Sequence, residues 1–143
     1  MRFDRPTILL APALLVALAS GCGSDETNGP GDDHTPATYR LLVDGNELSQ
    51  PYTFVSGETV RVQIKFANAA GEDLDDVEAE HFGLLTFDPA TLATIVPVTD
   101  HHFQFDVTGG TAGSGTVVVS FGHDEEADEK AFDPATVSVV AGP

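Results

Sequence analysis

From residue 38 onward the hydrophobic positions recur every second residue. Val60, Val62, Ile64 and Phe66 alternate with Arg61, Gln63 and Lys65. That period belongs to a strand with one face in a core and the other in water. Phe103, Phe105 and Val107 alternate in the same way with His102, Gln104 and Asp106, and Val117, Val119 and Phe121 with Val118, Ser120 and Gly122. Shorter runs predict four weaker strands over residues 39–43, 82–87, 93–98 and 136–140. Turn-forming residues separate them: Asp44-Gly45-Asn46, Ser56-Gly57, Ala70-Gly71-Glu72-Asp73, Asp88-Pro89 and Gly109-Gly110. The one helical candidate, residues 72–80, is short and strongly acidic. Seven short strands over about 105 residues predict an all-β fold, an immunoglobulin-like antiparallel β-sandwich. Jelly-roll and other sandwich topologies remain open.

Residues 107–119, VTGGTAGSGTVVV, resemble the tail of bacterial immunoglobulin-like surface modules, in which a Gly-rich turn leads into a Thr/Val strand. The Cys-Trp-Cys core of antibody domains is missing, since the chain has one cysteine and no tryptophan. One hexapeptide nearly repeats, Phe87-Asp88-Pro89-Ala90-Thr91-Leu92 and Phe132-Asp133-Pro134-Ala135-Thr136-Val137. Its flanks do not match, which argues against a duplicated domain. The expectation is one local device used twice: Asp-Pro begins a turn and Thr opens the next strand.

The first 37 residues have a different pattern. An apolar run over residues 8–19 comes after Arg2 and Arg5 and ends in Ala19-Ser20-Gly21-Cys22. A positive start, a short apolar segment and small residues before a cleavage point mark a secretory signal. The run is shorter than the roughly 20 residues a membrane-spanning helix needs. Small residues followed by cysteine resemble the signal of bacterial lipoproteins. Ala19 departs from that pattern, since leucine is commoner there. The resemblance implies that residues 1–21 are removed and that Cys22 is lipidated and anchors the chain to a membrane. Gly23, where some lineages place an aspartate for inner-membrane retention, points by the same resemblance to the outer membrane. Residues 23–37, GSDETNGPGDDHTPA, contain almost nothing to bury and read as a flexible tether, spanning roughly 20 Å on average. The expected organisation is a signal at 1–21, a lipidated cysteine with an acidic tether at 22–37, and a sandwich at 38–143.

Composition narrows the partners. The formal net charge is −17. Such a surface repels nucleic acid and anionic lipid headgroups and attracts cations, although it also serves solubility alone. No intrachain disulfide is available. No G-x-S-x-G elbow, thiol nucleophile or Gly-rich phosphate loop appears, and with no tryptophan, two tyrosines (Tyr39 and Tyr52) and phenylalanines that mostly fit the inward rows, sugar stacking is poorly supported. The expectation is a binding or structural module, not an enzyme.

The candidate chemistry lies at one pole. In an immunoglobulin-type sandwich the second–third, fourth–fifth and sixth–seventh strand connections meet at one end. Here they carry His81, His101 with His102, and His123, together with most of the domain's carboxylates. By phase, His101 continues the inward row of Phe103 and Phe105, and His123 that of Val119 and Phe121. Facing sheets lie about 10 Å apart, so these two imidazoles are expected to face each other, with His81 on a third side. Glu80 or Asp124 would supply an oxygen, and Asp100 and Glu125 are further candidates. Three imidazoles and a carboxylate suit zinc or copper(II). A calcium site built from the loop carboxylates is the alternative cation, and a solvated acidic pole without any metal is the plain one. Two functions stay open: an envelope lipoprotein that binds a divalent metal, and a metal-free module that holds another envelope protein.

Overall fold

The computed structural model describes residues 35–74 and 80–143. The expected signal segment, Cys22, His34 and most of the expected tether lie outside the described residues, as do Asp75, Asp76 and Glu78. The described residues form ten strands: β1 Thr38–Val43, β2 Asn46–Glu47, β3 Tyr52–Val55, β4 Thr59–Ala67, β5 Phe82–Asp88, β6 Ala93–Val98, β7 His101–Gly109, β8 Gly113–Gly122, β9 Lys130–Ala131 and β10 Ala135–Val140. Among the described residues no helix is long and apolar enough to cross a membrane.

The alternating rows do what their period dictates. Val62, Ile64 and Phe66 of β4, Phe103, Phe105 and Val107 of β7, and Val117, Val119 and Phe121 of β8 are all buried, while their neighbours on each strand face outward. Two sheets bury these rows against each other. One has the order β2-β1-β4-β7-β6 and the other β3-β10-β8-β5, with β9 added to β8. The seven predicted strands are β1, β4, β5, β6, β7, β8 and β10. Their division, with first, second, fifth and fourth in one sheet and third, sixth and seventh in the other, is the immunoglobulin arrangement.

Three short strands were not legible, and one changes the pairing. After the β1–β2 hairpin, turned by Asp44 and Gly45 at positive φ, the chain crosses to the second sheet. There β3 pairs parallel with β10, so the sandwich is antiparallel except at this edge. A strand of two to four residues is too short to show a period. The domain also begins earlier than residue 38. Pro36 is buried, the Ala37 amide donates to the Ala67 carbonyl (2.8 Å), and the Lys130 ammonium donates to the Pro36 carbonyl (2.5 Å).

The repeated hexapeptide adopts two structures. In its first copy Ala90–Leu92 form a 3-10 turn that buries Leu92, and the chain passes from β5 in one sheet to β6 in the other. In its second copy Ala135 enters β10 directly, opposite Val117. Asp-Pro begins both connections, but the sheet that the next strand must join sets the path of the chain beyond the proline.

One cross-strand ion pair lends itself to a pH test. Arg61 and Asp106 stand directly opposite on β4 and β7, and the guanidinium donates twice to the carboxylate, at 2.9 and 3.1 Å. Hydrogen bonds from Arg61, and its charge, hold the Asp106 carboxyl below its usual value. A lowered folded-state value stabilises above the unfolded carboxylate range and stops doing so as pH falls through the folded value. Both groups are exposed, so solvent and salt screen the effect. Asp106→Asn is therefore expected to lower the melting temperature slightly at neutral pH and low salt, and not at all in strong acid. A mutant difference that grew towards acid pH would contradict this assignment.

Candidate metal centre

The site grows out of the pairing of β5 with β8. Phe82 lies opposite Gly122 and Gly83 opposite Phe121. One step further along the same register sets His81 opposite His123. Both continue inward rows, Phe87-Leu85-Gly83 on β5 and Val117-Val119-Phe121 on β8. His81 is 3% exposed and is the buried polar side chain among the described residues. Its ring stacks on Phe121 (centroids 4.7 Å apart) and meets the His123 ring at 3.9 Å. Below them Phe66 packs edge-on against Phe103 and Phe121, each at 5.0 Å. The imidazole pair thus caps the aromatic end of the core, with His123 on the solvent side.

The third group comes from the loop after β8. Asp124 closes a tight turn: its carbonyl accepts from the Ala127 amide (2.9 Å) and its carboxylate from the Glu126 amide (3.1 Å). Ala127 takes a positive φ of 48° and is buried. The chain then folds back, bridging Asp128 to Phe121 and pairing Ala131 with Ser120. This return sets the Glu129 carboxylate against His123, whose Nδ1–H donates to it. Donor atoms of His81, His123 and Glu129 all lie within 4.8 Å of one another. Donors sharing a tetrahedral zinc ion at about 2.0–2.2 Å each stand roughly 3.3–3.6 Å apart. His123 and Glu129 are exposed, with side chains 62% and 40% accessible, so both have room to rotate towards an ion, whereas His81 is packed in the core. Two nitrogens and an oxygen suit a borderline ion such as zinc or copper(II). Three protein ligands leave a position for water or an exchanging ligand.

Of the residues expected at this site, His81 and His123 come together. His101, Glu80 and Asp124 stand outside the cluster. His101 is displaced by an irregularity in β7. Pro97 pairs with Phe105 but the next residue, Val98, pairs with His101. Residues 102–104 therefore have no partner on β6, and the phase counted back from Phe103 fails. His101 is exposed and lines a groove with Phe82 and Glu125. Glu80 precedes His81 and is exposed. Asp124 spends its carboxylate on the turn.

Sequence reasoning missed two contributors. Glu129 was one acid among many in its loop, and nothing local distinguishes it. His102 uses the β7 irregularity to reach the other sheet: its ring stacks on Phe82 at 4.0 Å and its Nδ1–H donates to the His81 carbonyl at 3.0 Å. A carbonyl only accepts, which fixes the Nδ1–H tautomer. The adjacency of two histidines was the available signal.

Gly122 makes the loop's return possible. A Cβ there would sit 2.8 Å from Ala127 and Asp128 backbone atoms. Gly122→Ala must push the loop outward, at a cost of about 1–3 kcal/mol typical of overpacking, and should weaken any metal bound through Glu129. A variant of unchanged stability and zinc affinity would show that the loop is not held this way.

The two sheets in this order define an immunoglobulin-like β-sandwich domain. Among solved structures, domains 4 and 5 of the S-layer protein SbsC are similar, with 22% sequence identity and a TM-score of 0.41 over 71% of this chain and 51% of that one. The chain thus spans about half the length of that structure. No protein-family model matches the sequence, and no curated protein matches it.

Proposed function

We propose that this chain is a lipid-anchored envelope protein whose immunoglobulin-like domain holds a divalent transition metal, zinc or copper(II), on His81, His123 and Glu129. The supporting observation is the convergence of their donor atoms to within 4.8 Å. Two imidazoles favour these ions over calcium, which takes oxygen ligands. The sole methionine, Met1, lies in the expected signal segment and the sole cysteine, Cys22, is the expected lipidation site, so soft ligands for copper(I) are missing from the cluster. An exposed rim and a three-ligand set suit capture and hand-over of an ion rather than permanent structural binding. The reading includes no turnover. Anchorage through Cys22, facing the periplasm or the surface from the outer membrane, rests on the sequence.

The test is calorimetric titration of the full chain, purified in detergent, with zinc, copper(II) and a calcium control. One saturable zinc or copper(II) site of micromolar or tighter affinity is expected. Weak binding at many sites, abolished by salt, would mean that the acidic pole is only solvated and would leave the domain as a protein-interaction module.

A further inference from the structure

A second feature lies on the flank of the sandwich and does not depend on the metal. Three of the edge strands carry their own protection. β2 has two residues and β3 four, and β6 carries Pro97, which removes a backbone donor. β5 differs. Its seven residues, FGLLTFD, contain no proline and no charge before Asp88. Among the described residues it pairs only with β8. An edge of this length and character offers a row of backbone donors and acceptors to another strand.

An apolar groove runs beside that edge. Phe82, Leu84, Pro97, Val98 and Phe105 line a space of about 300 Å³ between β5 and β6, with Glu125 on its wall. Val96, next to it on β6, is 55% exposed. The space is large enough for an apolar side chain entering from a strand laid along β5. The charge selects what that strand carries. The chain has a net charge of −17, so a second copy is repelled and an acidic segment equally so, while a basic one is attracted.

We infer that the outer edge of β5 is a strand-addition site for an extended, basic segment of another protein. That segment places one apolar side chain in the groove and a basic side chain against Glu125. Side chains alternate along a strand, so the recognised pattern is basic and apolar residues in alternation.

The probe is a fluorescein-labelled peptide, acetyl-Lys-Val-Lys-Leu-Lys-Val-Lys-amide, titrated into the full chain by anisotropy at moderate salt, with hydrogen exchange read on the complex. Two control peptides separate the causes. One replaces both valines with proline, keeping charge but removing backbone donors. The other replaces every lysine with glutamate. Saturable binding of the first peptide is expected, at least about tenfold tighter than either control, with new amide protection in β5. Leu84→Lys, which puts a cation beside the groove, should weaken it comparably. If the proline peptide bound equally well, attraction would be charge alone and the proposal would fall. Absence of saturable binding, or protection confined to elements other than β5, would overturn it equally. The peptide comparisons use the unaltered chain, so they stand even if Leu84→Lys fails to fold. None involves zinc, so the result is independent of the metal titration.

Discussion

His123→Ala is expected to abolish the saturable zinc site while leaving the metal-free fold intact. The side chain is largely exposed, so its removal opens no cavity and surface changes of this kind usually alter stability little. In the proposed site it nevertheless supplies one of three ligands, and its loss leaves only His81 and Glu129. Changes in a metal's outer shell already cost about 10–100-fold in affinity, so loss of a direct ligand should cost at least about 100-fold. His101→Ala, outside the cluster, should leave the affinity unchanged. Zinc would replace the hydrogen bond between His123 and Glu129. Metal and protons compete for the same ligand atoms, so binding is expected to release protons and to weaken as pH falls. Calorimetry in buffers of different ionisation enthalpy measures that release. If His101→Ala removed the site and His123→Ala did not, the geometry would have to be redrawn around the β6–β7 hairpin.

Phe66→Ala carries the largest expected loss of stability. The ring is 1% exposed and packs edge-on against Phe103 and Phe121 and stacked against Phe132 at 5.9 Å. It joins the two sheets at the end of the core that carries the histidines. Truncating a buried Phe typically costs about 3–5 kcal/mol, since neither sheet can collapse to fill the space. In a domain of this size that corresponds to a fall in melting temperature on the order of 15–30 °C. Phe132→Ala, at the partly buried margin of the same cluster, should cost clearly less. Urea unfolding of both variants measures the difference. Equal losses would mean that the aromatic cluster is not organised around Phe66. Because Phe121 lies between Phe66 and His81, the Phe66 variant should also loosen the metal site, an effect the His123 variant cannot have on the core.

The strands with long alternating rows were legible because burial on one face imposes a period of two on the sequence itself. Val60 to Phe66 and Val117 to Phe121 each carry that record. His123 was legible for the same reason, since it extends such a row by one step, and His81 because the start of its strand lies beside the end of that one in the expected topology. His101 extended a row too, and the prediction failed there. Residues 102–104 of its strand have no partner on β6, and a change of register is invisible to any count of alternation. Glu129 was illegible from the opposite side. Its position depends on Ala127 at positive φ and on the close passage of the loop over Gly122, contacts between residues whose local sequence is merely polar.

The sequence by itself determined the fold class, the seven main strands and the pole at which histidine and acid collect. These arise from which residues must leave water, a property each position carries alone. The expectation of a signal segment and of a lipidated Cys22 also rests on it alone. Only the tertiary structure decided which histidines meet, which carboxylate joins them, that β3 runs parallel to β10, and that β5 keeps an unprotected edge. Those depend on pairing register and on where a returning loop finds room, and both are fixed by distant parts of the chain acting on each other.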